Sequence, residues 1–149
     1  MRLGAAMSDT FDGVPTLELE IPKTLWLTSN QRLHHHAKAH ATKWLRQLAR
    51  QTAKARGLKL EPPVQVYAHI ALPSRRRFDP ANANPTVKAC LDGVVDARIG
   101  LADDDHEHVT AVTFARHVDP DGQPHRSRKD TYLVTLRFVE SAHPAYTPF

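Results

Sequence analysis

The chain has 149 residues, a formal charge of +4 and a calculated pI near 9.5, which is enough for one ordinary domain and too short for two. No apolar run approaches the roughly 20 residues that a membrane-spanning helix needs, so a bilayer span is excluded. Cys90 is the only cysteine, which excludes an intrachain disulfide framework and a multi-cysteine zinc site and fits a reducing, cytoplasmic compartment.

The expected order is a disordered leader (1–15), one domain (16–140) and a loose tail (141–149). Residues 16–22 alternate apolar and acidic side chains, as a half-buried strand does, and Pro22 closes it. Thr28-Ser29-Asn30 is a loop cluster. A helix is predicted over 37–56, with Ala37, Ala41, Trp44, Leu45 and Leu48 on its apolar face and Gly57 as its C-terminal cap. Residues 64–72 form the clearest strand, with Val64, Val66, Ala68, Ile70 and Leu72 on one face. A second helix starts at Asn84-Pro85, with Asn84 as cap, and stops at Gly100. Strands follow over 109–116 and 132–139. The turn signal Asp119-Pro-Asp-Gly122 between them predicts an antiparallel hairpin. The fold class is therefore α+β, a single β-α-β-α-β-β domain with a mixed sheet and helices packed on it.

The small net charge conceals two opposed halves. Residues 21–60 hold nine Lys/Arg and no Asp or Glu, while 79–107 hold seven acidic residues and only Lys88 and Arg98 as bases. That segregation points to a polyanion partner and a separate carboxylate site. On the first helix Arg46, Arg50 and Lys54 are four residues apart, with Lys43 beside them, and offer a basic stripe. The triple base Arg75-Arg76-Arg77 is suited to gripping backbone phosphates.

The densest chemistry lies between Arg75 and Val109. Asp79 and Asn82 follow a strand. Lys88 and Asp92 share a helix face opposite Val87 and Leu91. Asp103-Asp104-Asp105 precede the next strand, so both acidic loops are expected to meet at one end of the sheet. Oxygen ligands of this kind suit Mg²⁺, which typically takes one or two carboxylates plus water and phosphate. Lys88 would stabilise charge on a transferring phosphoryl group. The adjacent histidines at 34–36 read as a polar loop rather than a metal site, and His106 and His108 beside the aspartates would suit zinc better than magnesium. Trp44 belongs to the core. Cys90 has no base around it that would make it a nucleophile. No glycine-rich phosphate loop occurs, against a kinase or nucleotidase.

This ordered set resembles the RusA-type Holliday junction resolvases, over roughly Leu17 to Phe138. The shared features are an opening strand, a Ser-Asn loop (Thr28-Ser29-Asn30-Gln-Arg32), a long basic helix, a strand and an arginine cluster. An Asp-x-Asp-Asn motif (Asp79-Pro-Ala-Asn82), a helix with Lys88 and Asp92, and an Asp-Asp pair in 103–105 complete it. The resemblance implies a homodimeric, Mg²⁺-dependent endodeoxyribonuclease that cuts four-way DNA junctions. Asp79 matches the first metal-binding aspartate, Asp104 or Asp105 the aspartate of the later loop, and Lys88 the catalytic lysine. Asn82 matches the motif asparagine and Asp92 the helix aspartate. Three departures stand out: the second motif aspartate falls on Ala81, about three extra residues separate Asn82 from Lys88, and Phe78 replaces a base. With Ala81 in place, the alternative is a non-catalytic protein that binds DNA structures on the same fold.

Overall fold

The computed structural model describes residues 10, 11 and 13–148. Its elements are β1 (Thr10–Phe11), β2 (Val14–Pro22), α1 (His35–Ala55), β3 (Val64–Ala71), α2 (Asn84–Asp96), β4 (Val109–Arg116) and β5 (Thr131–Glu140). The strands form one sheet in the order β1-β2-β5-β3-β4. β5 is antiparallel to both β2 and β3, and β3 is parallel to β4. The fold is thus a single α+β domain with a mixed sheet and two helices. No helix among the described residues is long and apolar enough to cross a membrane.

The predicted β4–β5 hairpin is overturned: β5 inserts between β2 and β3, and β4 is the sheet edge. Burial gives the physical reason. β5 buries Tyr132, Val134, Thr135, Leu136, Phe138 and Val139, and therefore needs a neighbour on each side, whereas β4 buries only Val109. A strand covered on both faces belongs in the middle of a sheet. β3, α2 and β4 form the parallel crossover unit instead. The Asp119-Pro-Asp-Gly122 turn does form, with the Gly122 amide donating to the Asp119 carbonyl at 2.8 Å. It closes a short excursion in which Val118 pairs with Pro124. The chain then passes beside the end of β3, where Leu72 bridges Arg126.

The helices meet along a close seam. α1 buries Ala41, Leu45, Ala49 and Ala53, a strict four-residue ridge. Ala37 is exposed, and Trp44 and Leu48 lie half-buried at the margin, so Trp44 is not a core residue as expected. A Cβ at Gly93 of α2 would lie 2.1 Å from the Arg46 carbonyl oxygen, so only glycine permits this approach. Gly57, at φ +65°, caps α1 as predicted. Its amide donates to the Lys54 carbonyl at 3.0 Å and the Leu58 amide to Ala53 at 3.1 Å, the paired bonds of a Schellman ending. α2 ends at Asp96, not Gly100, and Arg98 at φ 55° turns the chain away. All five residues predicted on one face of β3 are buried.

Most of the expected leader lies outside the described residues. β2 begins inside it, at Val14, and β1 pairs with residues 14 and 15. The tail is docked rather than loose. The Gln65 side-chain Nε2 donates to the Thr147 carbonyl, the Ser141 backbone amide donates to the Pro63 carbonyl at 3.2 Å, and the Tyr146 and Thr110 hydroxyls are 3.3 Å apart.

Candidate functional site

The chain leaves β3 through Arg75–Arg77 and re-enters regular structure at Asp79. The Asp79 carboxylate accepts from the Ala81 amide at 3.0 Å and starts a 3₁₀ turn over Pro80–Ala83 that runs straight into α2. This corrects the expected cap: Asn84 makes no capping bond, because the preceding turn already occupies the helix entrance. Asp79 is the capping residue, and one of its oxygens is all that Ala81 requires.

Thr86, fully buried on the first turn of α2, clamps a distant loop. It accepts from the Leu27 amide at 2.9 Å and donates to the Leu27 carbonyl at 2.8 Å. The Ser29 amide then donates to the Asn82 carbonyl at 2.9 Å. The Thr28–Asn30 loop is thereby fixed against the Asp79–Asn82 turn. Asn30, Asp79, Asn82, Arg76 and Arg77 share the wall of a small cleft of about 180 Å³. Sequence reading missed Thr86; its only signal is a hydroxyl on the inward face of α2, between Ala83 and Val87.

Lys88 and Asp92 are placed as expected, opposite the buried Val87 and Leu91. The Lys88 ammonium donates to Asp92 at 2.9 Å and also to Asp104 Oδ2, so the acidic loop folds back onto α2. The bond to Asp104 holds the Lys88 ammonium above the ordinary lysine range despite some desolvation. Reciprocally, Lys88 holds the Asp104 carboxyl below the usual carboxylate range. Lys88 engages only Oδ2, leaving Oδ1 of Asp104 for another cation.

Asp105 is used differently. Its Oδ1 lies 2.6 Å from His108 Nδ1 and accepts from the Glu107 and His108 amides at 3.1 and 3.2 Å. It shapes the turn into β4. His108 lowers the Asp105 carboxyl, and Asp105 raises the His108 imidazole. Among the described residues, no group of three or more metal-capable side chains includes Asp79, Asp104 or Asp105. The two acidic loops therefore do not supply a closed protein cage for a metal; they offer separate carboxylates.

The larger cleft, about 750 Å³, opens beyond the ends of β3 and β4 and is lined by Arg75, Arg76, Arg77, Arg116, His125 and Arg126, with no acidic residue in its wall. It shares Arg76, Arg77 and Phe78 with the Asp79 cleft. Arg76 donates to the Tyr132 hydroxyl at 2.7 Å, and the Tyr132 ring packs on Trp26 at 4.4 Å. Arg75, Arg77, Arg116 and Arg126 have no ion pair among the described residues. Arg116 and Arg126 extend the predicted triple base; they follow Arg77 by 39 and 49 residues, and only the β3–β4 pairing and the Leu72–Arg126 bridge bring them together.

The basic stripe of α1 is more divided. Arg46 is spent on Asp96 of α2, donating through Nε to Oδ2 and through the terminal nitrogen to Oδ1 at 2.9 Å. It is a seam residue rather than a free phosphate ligand. Lys43 stays exposed beside His35 and Lys38, and Arg50 lies on the other flank near Asp96 and Arg98. Cys90 is buried, and burial pushes its thiol up to about 12, which keeps it an unreactive packing residue. No protein-family model and no curated protein matches the chain.

Proposed function

We propose that this chain is a RusA-type endodeoxyribonuclease that binds four-way DNA junctions and hydrolyses phosphodiesters with Mg²⁺, in the cytoplasm and as a homodimer. The observation that carries the reading is the arginine-lined cleft, which shares Arg76, Arg77 and Phe78 with the small cleft that holds Asp79. Unpaired guanidiniums around a concave surface are a ready site for successive backbone phosphates. Asp79 and Asp104, each with an uncommitted oxygen, are the residues that would hold Mg²⁺ together with water and a substrate phosphate. The ion would supply charge neutralisation and an activated water. Lys88, already kept cationic between Asp104 and Asp92, would stabilise the phosphorane-like charge. Asp92 orients Lys88. Asn82 and Asn30 offer neutral hydrogen bonds beside Asp79, and Asp105 holds the loop. β4, the free edge of the sheet with Val112 exposed, supports pairing of two copies. A two-fold dimer matches the pseudo-two-fold symmetry of a junction.

A second reading has its own observation. Ala81 is exposed at the position of the second motif aspartate and has no ligand atom. A protein binding junctions through the arginine cleft without cutting them would look the same elsewhere.

The test uses a labelled four-way junction and a matched linear duplex, with Mg²⁺ or EDTA. Paired nicks that require Mg²⁺ and vanish in Asp79→Asn, Asp104→Asn and Lys88→Ala are the expected result. Salt-sensitive junction binding without nicks in any metal selects the second reading. Equal affinity for junction and duplex, with no cleavage, removes both.

A further inference from the structure

The excursion between β4 and β5 builds a second constellation, away from the aspartates. Val118 pairs with Pro124 in antiparallel register, so His117 and His125 stand opposite each other, and the His125 amide donates to the His117 carbonyl at 2.9 Å. Asp119 is two residues from His117, and alternate residues of a strand share one face. Three candidate ligands, two imidazoles and one carboxylate, therefore project from one side of a hairpin only two strands wide. The side chains confirm what the register implies. The imidazoles of His117 and His125 stack with centroids 4.6 Å apart, and His125 Nδ1 lies 2.7 Å from the Asp119 carboxylate. One ring nitrogen of each histidine and one oxygen of Asp119 all lie within 4.8 Å of one another. His117 Nδ1 is buried with no hydrogen-bond partner, an unusual state for an imidazole nitrogen.

We propose that His117, His125 and Asp119 form a binding site for a borderline divalent transition metal of the Zn²⁺ class. Two imidazoles and one carboxylate are a donor set that suits zinc and not magnesium. Three protein ligands leave one tetrahedral position for water or an anion. The hairpin ends are already joined by backbone bonds, with the Asp119 amide donating to the Gln123 carbonyl at 2.7 Å, so little chain must be ordered on binding. The metal would staple the excursion at the point where it hands His125 and Arg126 to the wall of the arginine cleft. The site is independent of the nuclease reading and of the Asp79 and Asp104 carboxylates. Its competitor within the chain is the exposed trio His34, His35 and His36, whose ring nitrogens are similarly close but lie together at the start of one helix.

The experiment is calorimetric titration of the untagged, chelator-treated full chain with Zn²⁺, paired with the absorption spectrum of the Co²⁺ form. One ion per chain is expected, with a tetrahedral Co²⁺ spectrum, and both persist in the His34→Ala/His35→Ala/His36→Ala variant. Affinity falls at least tenfold in His117→Ala and in Asp119→Ala, while the circular dichroism of both matches the wild type. Thermal denaturation gives a second readout: Zn²⁺ raises the midpoint of the wild type and not of His117→Ala, since a ligand specific for the native state stabilises it. Binding lost in the His34–His36 variant but intact in His117→Ala and Asp119→Ala overturns the proposal. So does the absence of any stoichiometric binding.

Discussion

Two basic regions, the face of α1 and the cleft beyond β3 and β4, differ in what their cations already touch. On α1, Arg46 is held by Asp96 across the helix seam, and Arg50 lies near the same carboxylate. In the cleft, five arginines converge with no carboxylate among them, and only Arg76 has a side-chain partner among the described residues, the Tyr132 hydroxyl. A paired guanidinium must give up its partner before it can take a phosphate, whereas an unpaired one gains on contact. Net charge along the sequence ranks the α1 region as the more basic, but the pattern of pairing leaves more uncommitted guanidiniums in the cleft, which is why the proposed polyanion site is placed there.

The largest expected effect breaks the α1 side. Gly93→Val would drive a side chain into the Arg46 carbonyl and the Ala49 methyl, which a Cβ already meets at 2.1 and 2.9 Å. We expect a loss of about 3 kcal/mol in urea denaturation, as overpacking a tight seam costs. An unchanged urea midpoint would show that the helices stand farther apart than described. The next effect tests the cleft. Arg75→Ala/Arg77→Ala/Arg126→Ala should weaken junction binding at least about tenfold and flatten the salt dependence by about 2.7, with three phosphate contacts at about 0.9 each. A salt slope equal to that of the wild type would move the DNA site elsewhere, with the α1 face next in line. A smaller effect sharpens the contrast. Arg46→Ala should leave DNA binding unchanged and cost about 0.5–1 kcal/mol of stability, the range for a partly exposed bidentate pair. A loss of DNA affinity without loss of stability would reverse its assignment.

These contrasts show what was legible in the sequence. Local periodicity placed the inward face of β3, the Gly57 cap and the opposition of Lys88 and Asp92 to Val87 and Leu91. Each depends on residues within one turn or one pleat. The β4–β5 hairpin failed because a turn signal specifies a reversal but not which strands it joins. Here the reversal is consumed by Val118 and Pro124. The Thr86 clamp spans 59 residues, and Arg116 and Arg126 reach the cleft only through sheet order. Within the Asp103–Asp105 run the sequence could not choose between Asp104 and Asp105, but the fold gives Asp104 to Lys88 and Asp105 to His108. Spacing cannot distinguish neighbours whose partners come from different elements.

The smallest effect concerns acid. His69 on β3 is pushed down to about 4 from its ordinary 6.5, chiefly by burial, then by the charges of Arg137 and His117. His117 is lowered for the same leading reason. In the unfolded chain both imidazoles take a proton near pH 6.5, while in the native protein His69 resists it until about pH 4. The unfolded state therefore binds more protons in that window, and stability falls as pH drops from 6.5 towards 4. The lowered carboxyls of Asp96 and Asp104 lose their contribution only at more acid pH. His108 has the opposite sign: its raised imidazole adds stability below pH 6.5 and loses it as pH rises through the folded value. Urea midpoints of chelator-treated protein at pH 7, 5.5 and 4.5 should fall with acid, and less steeply in His69→Gln. Identical slopes in the two proteins would mean that the imidazole is solvated in the native state. The face of β3 that carries His69 would then be more open to water than the His117 ring, with its centroid 6.2 Å away, indicates.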